Sequence, residues 1–240
     1  MHIKNYNFVD KYINKLSPNE ITIFLFHGVI KTNNNEIRNY TNKHLNYDFF
    51  CELLTKLAQV GNCLSMDQIL YHFETKEKPP KNSFAITFDD GFENNVSIAG
   101  PVLNDLNMNC TIYLTTNFVD KNIMSWIDRI EYVVEHNHNF IVNEKWLEKP
   151  LKIKNKHEKI SLLNKIRDYV KSSKQLNFDD FSDNFCNKFT FSKNSSDEPL
   201  DKKLNWNEIK YLKNSDTFLF GGHSHSHPIL SYLSLNKLKF

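Results

Sequence analysis

The sequence predicts an α/β fold built on a parallel sheet, and three observations lead to it. Short runs of β-branched and aromatic residues alternate along the chain with segments whose apolar positions recur three and four apart. The strongest runs, ITIFLF and FAITF, are continuously apolar rather than alternating, as in strands covered on both faces. Each is followed at once by a polar or acidic residue and a glycine, the pattern of a strand exit that carries chemistry in open α/β sheets.

Taken in order, residues 5–16 read as a short amphipathic helix ending before Pro18. ITIFLFHGV (Ile21–Val29) reads as a buried parallel strand with His27 and Gly28 at its exit. NYDFFCELLTKLAQV (46–60) has helical spacing. SMDQILYHF (65–73) is a second short helix with Ser65 as its cap. SFAITFDDGF (83–92) is the clearest strand: Phe84–Phe88 form its core, Asp89 and Asp90 stand at its exit, and Gly91 permits a tight turn. A helix over 94–106 contains Pro101, which is either a first-turn residue or a kink. MNCTIYLTT (108–116) is the next strand and IMSWIDRIEYVVEH (123–136) the next helix.

Residues 138–200 differ in character. FIVNEKWLEKPLKI reads as a small hairpin, and HEKISLLNKIRDYVKSS and FDDFSDNFCNKF as helices. The segment is taken as a mainly helical insertion in a single domain spanning 1–240. LNWNEIKYLKNS (204–215) is a short helix in which Asn205 and Glu208 have capping-box spacing. TFLFGG (217–222) is then a strand that delivers HSHSHP.

Composition narrows the function classes. With 30 Lys and Arg against 28 Asp and Glu, the formal charge is +2, which gives no field suited to nucleic acid. The lysine-rich stretch Lys149–Lys159 is read as a solvated face. Four widely spaced cysteines without a Cys-x-x-Cys pair read as reduced, mostly buried thiols. Neither a secretory signal nor a transmembrane run is visible at the N-terminus, so a cytoplasmic location is expected.

The chemistry concentrates in two places. His223, His225 and His227 alternate with serines behind two glycines. In extended backbone all three would share a face; in a helix only His223 and His227 would, and Pro228 disfavours α geometry at His227. Periodicity leaves both arrangements open. Asp89 and Asp90 could be turn formers taken alone. Set on the same face of a parallel sheet, one carboxylate with two imidazoles is a first shell for a hydrolytic metal, and a second carboxylate beside it can take a proton from water.

The pair Thr87-Phe88-Asp89-Asp90-Gly91 and His223-Ser224-His225-Ser226-His227-Pro228 resembles the T-F-D-D-G and H-[ST]-x-x-H-P motifs of the polysaccharide deacetylase family, the NodB-homology or carbohydrate esterase 4 family. The likeness extends over about residues 20–136 and 204–232, including Ile21–Val29, Asp48-Phe49-Phe50 and Trp126-Ile127-Asp128-Arg129.

The resemblance implies a NodB-like distorted (β/α)7 barrel. It also implies a metal-dependent hydrolase that removes acetyl groups from an acetylated amino sugar, oligosaccharide or lipid-linked glycan. It assigns Asp90, His223 and His227 to one divalent metal ion, zinc being the usual one, and Asp89 to the general base. His225 falls in the variable part of its motif. His27 and Trp126 are candidate substrate contacts.

The family's late L-x-H motif, which carries the general acid, has no counterpart before the chain ends at Phe240. The barrel is therefore expected to be incomplete and the chain truncated. The alternative is a non-catalytic metal- or carbohydrate-binding remnant. A phosphoesterase of another fold would call for further His and Asp clusters.

Overall fold

The computed structural model describes residues 6–189, 198–236 and 238. They form two compact units: residues 6–32, 42–122 and 198–226 make the first, and 33–41, 123–189, 227–236 and 238 the second.

In the first unit, helix α1 (Tyr6–Ile13) leads into strand β1 (Thr22–Phe26). Then come β2 (Gly28–Ile30), β3 (His44–Asn46), α2 (Tyr47–Val60), β4 (Asn62–Cys63) and α3 (Met66–Thr75). They are followed by β5 (Ser83–Asp89), α4 (Asn94–Ser97), α5 (Ala99–Asp105), β6 (Cys110–Leu114) and α6 (Thr116–Lys121). The second unit contributes α7 (Trp126–His136), β7 (Phe140–Val142), β8 (Leu151–Ile153), α8 (Lys156–Ser172) and α9 (Phe178–Cys186). The chain returns to the first unit with α10 (Trp206–Leu212) and β9 (Phe218–Gly222).

The main sheet runs β1-β5-β6-β9, every pair parallel, with β4 beside the first residues of β5. β5 is buried along its whole length, as its unbroken apolar run requires. Its neighbours supply a phenylalanine cluster: Phe26 stands 5.8 Å from Phe50 of α2 and 5.7 Å from Phe88, centroid to centroid. Among the described residues the strands do not close on themselves. The fold is an incomplete form of the NodB-like barrel that the motifs implied.

Caps set the helix starts that matter here. Ser65 and Gln68 form a reciprocal capping box on α3, and Asn205 and Glu208 form one on α10. Ser125 caps α7 through the Asp128 amide.

Three expectations need correction. The single strand over Ile21–Val29 is two: β1 ends at Phe26, and β2 pairs with β3 in a separate two-stranded parallel sheet. β1 also buries one face only, since Ile23 and Leu25 are 49% and 56% exposed while Phe24 and Phe26 point into the core. The helix over 94–106 is broken at Ile98, so Pro101 falls in the first turn of α5, where its missing N–H costs nothing.

The second unit has its own core, formed mainly by apolar residues of α7, α8 and α9. β7 and β8 pair antiparallel as the expected hairpin. Lys159, at the end of the lysine-rich stretch, is only 2% exposed, so that part is no solvated face. Its ammonium donates to Glu36 at 3.2 Å and to the Glu135 carbonyl at 2.9 Å. No helix among the described residues is long and apolar enough to cross a membrane.

Candidate metal centre

The two sequence motifs meet because β5 and β9 flank the same strand. Asp89, the last residue of β5, pairs with Tyr113 of β6. On the other side of β6, Tyr113 and Leu114 pair with Gly221 and Gly222. All three strands are parallel, so their exits lie at one edge of the sheet. The glycine at 221 is required there, because a Cβ would stand 2.6 Å from the Tyr113 ring.

The turn after β5 is backbone-specific. Asp90 has φ +70° and Gly91 φ +67°, two successive left-handed residues. Glycine takes this conformation without cost, whereas Asp90 is held in it against its preference. The turn is fixed from outside by the Leu204 amide, which donates to the Gly91 carbonyl at 2.9 Å.

The histidine segment is neither extended nor helical. It continues the strand pairing past Gly222 by strapping itself to the start of α6. The His223 amide donates to the Leu114 carbonyl at 2.8 Å, and the Thr115 hydroxyl donates to the His223 carbonyl at 3.2 Å. The Thr116 and Asn117 amides donate to the carbonyls of Ser224 and His225 at 3.2 and 2.9 Å. Left-handed residues at Ser224 (φ +62°) and His227 (φ +52°) reverse the chain on either side of His225.

In consequence His223 and His225 stand in different surroundings. Nε2 of His223 lies 3.8 Å from Oδ2 of Asp89 and 4.0 Å from Oδ1 of Asp90. His225 is exposed, and its Nδ1 is 2.9 Å from the Thr116 hydroxyl. His227 follows Ser226, where the chain leaves the first unit. One ligand atom from each of Asp90, His223 and His227 can be chosen so that all lie within 4.8 Å of one another, a spacing a single ion can bridge.

The donor set suits a divalent ion. One carboxylate and two imidazoles are ligands of hydrolytic zinc, and Asp89 and Asp90 are 8% and 3% exposed. Two adjacent carboxylates at that depth need nearby positive charge to offset their desolvation. Sequence reasoning missed one source of it: Nζ of Lys43 is 3.5 Å from Oδ2 of Asp90. Lys43 precedes β3, which belongs to a different sheet, and nothing in the stretch NKHLN announces the contact.

The remaining predicted residues stand apart from this group or beside it. His27 follows Phe26, which pairs with Phe88, so it occupies the strand exit next to Asp89 in the register. Trp126 opens α7 in the second unit, where its ring packs 5.7 Å from Phe178 and its carbonyl accepts from the Ser182 hydroxyl at 3.0 Å. In the same unit Arg129 pairs with Asp179 and Asp183. Behind the metal group, Asn94 ties three segments together: it accepts from the Val29 amide at 3.3 Å, donates to the Pro199 carbonyl at 2.9 Å and meets His44 Nδ1 at 3.0 Å.

A parallel sheet that presents a carboxylate–imidazole cluster at its strand exits defines a class of α/β proteins with a polar site at that edge. Within it, the chain belongs to the polysaccharide deacetylase family, whose sequence pattern matches residues 76–239 and so takes in both motifs. Among solved structures, it is similar to the deacetylase PplD from Streptococcus pyogenes in complex with acetate. That likeness has 22% identity over 43% of this chain and 46% of that one, with a TM-score of 0.37. It is also similar to a de-N-acetylase from Aggregatibacter actinomycetemcomitans (13% identity, 85% of this chain, 54% of that one, TM-score 0.46). A third is the BpsB deacetylase domain from Bordetella bronchiseptica (13%, 88% and 56%, 0.41). The chain spans about half the length of each of these. No curated protein matches it.

Proposed function

We propose that the chain carries the metal-binding half-site of a carbohydrate deacetylase, which removes acetyl groups from an acetylated amino sugar within an oligosaccharide or a lipid-linked glycan. The observation that supports this most directly is the grouping of Asp90, His223 and His227 within bridging distance, with Asp89 beside it. In this reading Asp90, His223 and His227 hold one divalent ion, zinc being the expected one. When bound, that ion supplies a Lewis acid for the acetyl carbonyl and lowers the pKa of a water molecule.

The residues of the chain do the rest. Asp89 accepts the proton of the attacking water; its place next to His223 puts its carboxylate at the rim of the same group. The straps from Leu114, Thr115, Thr116 and Asn117 keep the His223 segment fixed against the sheet, so its imidazole needs little reorganisation. His27, at the neighbouring strand exit, is the candidate contact for the sugar or for the leaving nitrogen. Trp126 is the candidate stacking surface for a sugar ring.

The test is acetate release from N-acetylglucosamine oligomers by the chelator-stripped and the zinc-reloaded chain. Release that depends on added metal supports the reading. Zinc uptake with no acetate from any acetylated oligomer would favour the binding-only alternative, and absence of uptake would remove the metal reading altogether.

A further inference from the structure

The Lys43 ammonium lies beside the metal group although neither sequence motif contains it. It lies 3.5 Å from Oδ2 of Asp90, and 4.7 Å from the centroid of the Phe92 ring. Phe92 is itself fully buried. Lys203 Nζ is 3.3 Å from its centroid, and the His44 ring meets it edge-on at 4.6 Å. The aromatic face gives the Lys43 ammonium a second favourable contact, so the cation has a built seat next to the carboxylate.

That seat is open to solvent on the Lys43 side. A nitrogen–oxygen distance of 3.5 Å exceeds that of a well-formed charge-assisted hydrogen bond. The Lys43 side chain keeps 20% of its surface exposed while Asp90 keeps 4%. A four-carbon stem reaching in from the solvent side can swing its charged end outward. A divalent ion bridging Asp90 and His223 would meet this ammonium at close range, and like charges that near are strongly unfavourable.

We propose that Lys43 is an internal counter-ion of Asp90 that a divalent metal must displace, so that this side chain sets the affinity of the site for the ion. It is a positioning residue: it acts through Asp90 and on the occupancy of the site. This rests on the metal-binding reading above. It explains how two nearly buried carboxylates are accommodated before the ion arrives, and it predicts a weaker site than the same three ligands would make alone.

The experiment is zinc titration of the full 240-residue chain against a chromophoric chelator, comparing wild type with Lys43→Met and Lys43→Arg. Lys43→Met is expected to bind zinc about three- to fivefold more tightly, the size of a partly exposed ion pair removed. Lys43→Arg should bind no more tightly than wild type. As a measurement free of any variant, site-resolved acylation of the wild-type chain should show Lys43 becoming more reactive on zinc loading while the exposed Lys174 does not change. Equal or weaker zinc binding by Lys43→Met, or unchanged labelling of Lys43, overturns the proposal while leaving the three-ligand site in place. If wild type and Lys43→Met both take up no zinc, the metal reading falls and this falls with it.

Discussion

His223 Nε2 lies 3.8 Å from Oδ2 of Asp89, although 133 positions separate the two residues in the sequence. A single intervening strand, β6, brings them together, and the same contact makes the two acids of the Asp89-Asp90 pair separable by experiment. Asp89→Asn should leave zinc bound at one equivalent and lower acetate release by about a hundredfold or more, the usual worth of a positioned base. Asp90→Ala or His223→Ala should remove most zinc instead. Metal analysis and turnover on the same preparations distinguish the two outcomes, and undiminished turnover by Asp89→Asn would sink the base assignment.

The middle histidine gives a converse prediction. His225→Ala removes a hydrogen bond to Thr116 on an exposed side chain, while the backbone straps to Ser224 and His225 persist. The expected cost is about 0.5–1 kcal/mol in urea unfolding. Zinc affinity should be unchanged, and a large loss would bring His225 back as a ligand.

Gly91 is where the site's backbone is least replaceable. At φ +67° an alanine is already strained, and its Cβ would stand 2.8 Å from Cδ2 of Leu114. Leu114 is buried in the same core as β5, so relief requires movement of packed side chains. Gly91→Ala should cost about 2–3 kcal/mol in thermal or urea unfolding and weaken zinc binding through displacement of Asp90. A variant as stable as wild type would show that the turn is softer than its geometry indicates.

Much of this site was legible in the sequence, for physical reasons that can be named. The Phe84–Phe88 run could only be a strand covered on both faces, and its exit had to present Asp89 and Asp90. The cap at Ser65 and the capping box at Asn205 were equally plain, since a cap is a local contract between residues a few positions apart. What resisted was non-local. Nothing within Ile21–Val29 says that the chain leaves one sheet at His27 and joins another. The helix Thr116–Lys121 opens on poor helix formers, and the straps it offers to the histidine segment come from a strand partner a hundred residues away. The histidine conformation could not be decided by period, because it is governed by left-handed turns at Ser224 and His227 that follow no period. Lys43 was invisible for the same reason: a charge pair across two sheets leaves no spacing to read.

The cysteines provide a pH test of the first unit's core. Burial pushes the Cys63 thiol up to about 11, offset in part by hydrogen bonding with the Asn109 backbone. Burial pushes Cys110, in the middle of the sheet, in the same direction. A thiol whose pKa is raised on folding stabilises the native state fully below its unfolded value and loses that contribution as pH climbs toward the folded one. For Cys63 the window runs from the ordinary value of 9.0 to about 11. Unfolding free energy should therefore fall by up to about 1.4 kcal/mol per pH unit across that window from this group alone. Lysines and tyrosines titrate there too, so the readout is the difference between wild type and Cys63→Ala: the variant's stability should decline less steeply above pH 9.0. Parallel declines in the two proteins would mean that Cys63 is open to water, and that the packing of β4 against the start of β5 is looser than its pairing with Ser83 and Phe84 indicates.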